Sequence, residues 1–89
     1  MNAPKNQVAE VLYELITEQS ITRMSIMKGT GILNLTARIA DLRIRHGLNV
    51  ICDKVNTKNK HGRPISYGSW RLLNKKIAIS KYDKINKDE

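Results

Sequence analysis

Eighty-nine residues with a formal net charge of +8 suit one small domain, because a chain of this size buries too little of its unfolded surface to support two cores. The lone cysteine, Cys52, excludes an internal disulfide, weighs against a secreted disulfide scaffold and reads as a buried, reduced thiol. No apolar run reaches the ~18 to 20 residues of a membrane span and the first residues carry no signal-type apolar region, so the expectation is a cytoplasmic protein with no membrane partner.

Residues 1–5 are expected as a flexible arm, with Asn6 as the N-cap of a first helix running to about Gln19. Val8, Val11, Leu12, Leu15 and Ile16 form its apolar stripe. Glu10, Glu14 and Glu18 form an acidic face, which reads as solvated surface because no histidine, partner acid or metal-binding pattern accompanies it. Ser20 to Thr22 make a short extended piece. Thr22 is placed to cap a second helix over about Arg23 to Lys28, with Ile21, Met24 and Met27 turned inward. Gly29-Thr30-Gly31 then has the length of the turn in a helix-turn-helix.

The third helix, 33–46, is expected to be the longest. Ile32, Leu35, Ile39 and Leu42 recur on one face, and Gly47 closes the helix by adopting the left-handed conformation. Asn34, Arg38, Asp41 and Arg45 share an outward flank, Ala37 lies beside it, and Thr36 and Arg43 lie on the other side. In a DNA major groove, Asn34 suits a bidentate pair with adenine and Arg38 suits guanine or a phosphate. Thr36 suits a phosphate or base edge, and Ala37 is small enough for close backbone approach. Asp41 repels phosphate, but its spacing suits pairing with the flanking arginines. Leu33 and Ile44 point away from the core stripe, toward the hairpin, the tail or a second subunit.

From Leu48 the period changes to that of a strand, with Leu48, Val50 and Cys52 alternating with Asn49, Ile51 and Asp53. Lys54 to Arg63 is too polar for core and reads as the tip of a hairpin, a basic wing carrying Lys54, Lys58, Lys60, His61 and Arg63. The return strand is about Pro64 to Leu72, with Pro64 tolerated at its start and Gly68 marking a bulge. Trp70 and Leu72 share a face and are expected to close the core, a role for Trp70 favoured over that of an exposed stacking platform. Residues 73–89 form a basic tail or short helix on which Leu73, Ile77 and Tyr82 would lie. A docking helix, a dimerisation element and a loose tail all remain open, and KINKDE has the composition of disorder. The whole charge surplus lies between Arg38 and Lys76, where ten basic residues face only Asp41 and Asp53. That concentration is the footprint of a polyanion-binding surface.

The element order is mainly α with a small antiparallel β-hairpin, that of a winged helix-turn-helix over residues 6–72. Ile21 to Val50 also resembles the small helix-turn-helix domains common in bacteriophage and prophage genomes. The resemblance rests on Ile21-Thr22, Gly31-Ile32, Leu35, Arg38-Ile39, Leu42-Arg43 and Gly47, with Trp70-Arg71-Leu72 similar to the aromatic-Arg-Leu that ends the family's return strand. It implies a repressor, excisionase or accessory factor of phage origin.

The expected function is sequence-specific binding of double-stranded DNA by a transcriptional regulator or recombination accessory factor. Thr22, Arg23, Thr30, Asn34, Thr36, Ala37, Arg38, Arg43 and Arg45 join the five wing residues as the candidate contacts, and a homodimer is a possible reader of a repeated half-site. A protein-binding module that inhibits a host factor is the alternative, favoured by Leu33 and Ile44. No enzyme, metal site or cofactor is expected: His46 and His61 are too far apart for ligand spacing, no nucleophile has an evident base, and no phosphate loop follows a strand.

Overall fold

In the computed structural model, which describes residues 1–88, the chain folds into four α-helices and one two-stranded antiparallel hairpin. The order is α1 (Gln7–Thr17), α2 (Arg23–Thr30), α3 (Leu35–Ala40) continued by a π turn (Asp41–Arg45), β1 (Val50–Lys58), β2 (Pro64–Leu72) and α4 (Lys75–Asp88). Glu89, the end of the expected tail, lies outside the described residues.

Helix α1 begins where its sequence dictates. The Asn6 side-chain oxygen accepts the Ala9 N–H at 2.7 Å, and Val8, Val11, Leu12, Leu15 and Ile16 are all buried. Thr22 caps α2 reciprocally with Ser25: the threonine hydroxyl accepts the Ser25 N–H at 3.1 Å and the serine hydroxyl accepts the Thr22 N–H at 2.9 Å. Helix α2 runs through Gly29 and stops at Gly31, whose φ of 76° is the left-handed cap that a side chain would strain. Of its apolar residues only Ile26 is buried; Met24 and Met27, expected inward, are exposed. The inward positions fall on Ile21 and Ile26 because the helix begins after Ile21, which is extended.

The third helical segment is shorter than its periodicity suggests. Asn34 caps it, so α3 proper starts at Leu35, and after Ala40 the helix widens into the π turn. Leu35, Ile39 and Leu42 face the core as expected, and Gly47 leaves the helix with φ 65°. The wider turn rotates less per residue than an α-helix, so Arg45 falls out of line with Asn34 and Arg38. The longest helix is instead α4.

Strands β1 and β2 pair in unbroken register from Val50 opposite Leu72 to Lys58 opposite Pro64. No bulge occurs at Gly68, which pairs with Lys54. Its glycine is explained by crowding, since a Cβ there would lie 3.2 Å from both the Cys52 sulfur and the Trp70 ring. Cys52 is exposed, contrary to expectation, because only the base of the hairpin enters the core: Val50, Ser69, Trp70 and Leu72 are buried and most of the remainder is not. Ile21 adds a one-residue bridge to Trp70, its N–H and carbonyl each bonded at 2.8 Å, which ties the entry of α2 to the sheet.

Helix α4 docks on α1 and so decides what the tail does. Ala78, Tyr82, Ile85 and Asn86 are buried, whereas Leu73, which precedes the helix, and Ile77 are exposed. The N-terminal residues, expected as a flexible arm, are held by this helix. Asn86 accepts the Lys5 N–H at 2.7 Å and donates to the Ala3 carbonyl at 3.1 Å, while the Tyr82 hydroxyl donates to the Asn2 carbonyl at 2.7 Å. Asn6 serves both helices, since its amide nitrogen also donates to the Ile85 and Asn86 carbonyls at 3.2 Å. At the other end Lys81 donates to the His46 carbonyl at 2.7 Å, a cation on the closing carbonyls of the third helical segment.

Candidate nucleic-acid interface

The outer hairpin is a regular ladder with a tight tip. Asn59 builds the tip: its carbonyl accepts the Gly62 N–H at 2.9 Å, and its side-chain oxygen accepts the N–H groups of His61 at 2.9 Å and Arg63 at 3.0 Å. Gly62, at φ 83°, takes the left-handed position that returns the chain to β2. Lys60 and His61 therefore occupy the apex. Lys54 and Lys58, expected in the loop, lie on β1 itself, where alternation puts them with Asn56 on one face. The β-branched Val55 and Thr57 were the signal for a longer strand, masked by the surrounding lysines and asparagines. Among the described residues, no hydrogen bond or ion pair engages the side chains of Lys54, Lys58, Lys60, His61 or Arg63, and all five are exposed.

Most of the candidates on the helices are committed within the fold. Thr22 is spent on its cap. Thr30 is half-buried, donating to the Ile26 carbonyl at 2.7 Å and accepting the Ile32 N–H at 3.2 Å, in a depression it shares with Glu10 and Glu14. Thr30 therefore lies beside two carboxylates and apart from the basic side chains of the hairpin. Asn34 is exposed, but its oxygen accepts the Ala37 N–H at 3.4 Å, so a bidentate pair with adenine would require the cap to open.

Arg23 donates to the Thr36 hydroxyl at 2.8 Å while its guanidinium lies 6.0 Å from the centre of the Trp70 ring. The indole thus lies beneath the arginine while remaining part of the core. Arg38 bonds Gln7 of α1 at 3.3 Å, and its Nε lies 3.2 Å from Asp41 Oδ2 without the alignment of a hydrogen bond. Arg43 clamps the Val50 carbonyl with two bonds, of 3.0 and 2.7 Å, joining the π turn to the root of β1. Arg45 is exposed on that turn.

Between the start of α2 and β2 lies a largely apolar groove of about 510 Å³, bordered by Arg23, Met24, Ile65, Tyr67 and Gly68. Met24, Met27 and Leu33 continue as exposed apolar surface past the end of the groove. Of these residues Arg23 was a sequence candidate for DNA contact and Leu33 for a protein contact, whereas Ile65, Tyr67 and the two methionines were candidates for neither. The alternation of Ile65 and Tyr67, on the opposite face of the strand from Trp70 and Leu72, was the available sign.

The one shifted titration is structural. Burial raises the Tyr82 phenol above its ordinary value of 10.0, with Tyr13 and Asp83 adding smaller increments in the same direction. Among the described residues no three His, Cys, Asp or Glu side chains gather as metal ligands, and no helix is long and apolar enough to cross a membrane. In comparison with known proteins, the chain matches no protein-family model, no curated sequence and no solved structure.

Proposed function

We propose that the chain is a sequence-specific double-stranded DNA-binding protein of the winged helix-turn-helix kind, acting as a regulator or recombination accessory factor. Helix α2, the Gly31 turn and the third helical segment form the helix-turn-helix, with the third segment in the major groove and the hairpin as the wing on flanking backbone or minor groove.

The observation that carries this reading is the set of five exposed basic and imidazole side chains at 54, 58, 60, 61 and 63, which no described residue engages, on a hairpin extending beyond the core. Five such residues are poor material for protein stability and good material for neutralising phosphates. The arginines nearer the core have mixed roles: Arg43 braces the fold, whereas Arg23, propped by Trp70 and joined to Thr36, is already ordered for a phosphate or a guanine edge.

Repeated selection of bound sequences from a random duplex pool tests the reading. The expected result is an enriched sequence bound on the order of a thousandfold or more tighter than random duplex at physiological salt. Absence of duplex affinity even at low salt overturns it. A second reading, docking of a protein on the same surface, is favoured by the 83% exposure of both Leu33 and Ile44.

A further inference from the structure

The outward ridge of the third helical segment is apolar and small, which is unusual beside so much positive charge. Ala37 and Ala40 are one turn apart, Ile44 follows four residues after Ala40, and Leu33 stands in the turn just before the helix. Ala37 and Ala40 are half-buried, whereas Leu33 and Ile44 are each 83% exposed. No core duty explains these residues, because the core face of the same segment is filled by Leu35, Ile39 and Leu42. Thr36 beside the ridge is held by Arg23, and Arg38, Arg43 and Arg45 lie on the same helical segment.

Charge identifies the occupant. A second copy of this chain would bring a net charge of +8 against another +8, which opposes self-association on this face. A polyanion with apolar groups spaced along it is complementary. In the DNA major groove the apolar group presented by an unmodified base edge is the C5-methyl of thymine. The rise from Ala37 to Ile44 is roughly 10 Å along a helix, about the length of three base pairs.

Resting on the DNA-binding reading above, we propose that Leu33, Ala37, Ala40 and Ile44 read thymine methyl groups, so that the preferred duplex carries thymines across the contacted segment. The two alanines let the backbone approach, and the two larger side chains cover the methyl groups at either end. Specificity then comes mainly from methyl contacts, with Arg23 and Thr36 supplying polar contact at one side and the hairpin supplying affinity.

The test uses the duplex enriched from the random pool, synthesised once with dT and once with dU at every thymine position, which removes the methyl groups and keeps the pairing. The full chain is expected to bind the dU duplex tenfold or more weakly, about fourfold for each methyl buried. Leu33→Ser and Ile44→Ser, at exposed positions where the fold does not depend on the side chain, should each lower the dT-to-dU affinity ratio toward one. Equal affinity for the two duplexes, or an enriched sequence without thymine in the protected segment, overturns methyl reading and leaves DNA binding standing. Failure to enrich any duplex overturns both.

Discussion

Asn6 and Lys58 represent two kinds of polar residue that occupy different regions of the molecule. In the helical body, polar side chains have structural work: Asn6 caps α1 and holds the last turns of α4, Asn86 fastens the N-terminal residues, Thr22 caps α2 and Lys81 closes the third helical segment. In the outer hairpin, beyond Asn59 and its turn, the polar side chains at 54, 58, 60, 61 and 63 engage no described residue. A side chain without a folding role costs the protein little to change, so its chemistry is available to an external partner. The contrast separates stability from binding, and each can be altered without the other.

The largest expected effect comes from the hairpin. Replacing Lys54, Lys58, Lys60 and Arg63 together by glutamine should weaken duplex binding on the order of a thousandfold at about 0.1 M salt, while the thermal midpoint stays within about a degree or two. Fluorescence anisotropy and thermal denaturation measure the two quantities side by side; a large loss of stability would erase the contrast.

Leu12→Ala is the reciprocal change. Leu12 is fully buried, and its truncation should cost about 2 to 5 kcal/mol in denaturant titration. Under conditions where the variant remains folded, its duplex affinity should match that of the parent. Asn6→Ala tests a polar residue of the body and should cost about 1 to 2 kcal/mol, because the α1 cap and the carbonyl contacts with α4 are lost together. A cost near zero in urea titration would remove Asn6 from the structural group.

The smallest effect is a pH dependence. The folded state favours the neutral Tyr82 phenol, so this contribution is fully present below the ordinary pKa of 10.0 and is lost as pH rises through the higher folded value. Alkaline melts of Tyr82→Phe should fall less steeply above pH 10.0 than those of the parent, with tyrosinate absorbance reporting the titration. Identical slopes would show that the phenol does not link ionisation to folding.

The sequence made the body legible where one strong pattern acted alone. The stripe of α1, the Asn6 and Thr22 caps, the core positions of the third helix and the left-handed Gly47 all follow from local rules, whereas the second helix runs two residues past its expected end to Thr30. Tertiary packing decided the rest. Met24 and Met27 looked like core residues beside Ile21, but Ile26 fills that space; of Ile77 and Tyr82 on the last helix, only Tyr82 turns inward, with Ala78 and Ile85. The π turn depends on how the helix meets the root of β1, where Arg43 holds Val50, and a straight helical wheel has no means of expressing it.

The candidate site was legible by charge and less so by role. The basic segment was evident from composition, yet the commitments of Thr30 to its own helix and of Arg43 to β1 depend on distances of 2.7 Å that spacing alone does not encode.

The central claim is that the outer hairpin neutralises phosphates while the body holds the fold. Its most direct measurement is the salt dependence of duplex affinity for the parent and the four-glutamine variant. If all four cations contact phosphates, the two slopes of log affinity against log salt should differ by about three to four, at ~0.9 per contact. Parallel lines, or a parent chain that fails to bind duplex at the lowest salt, would contradict the account.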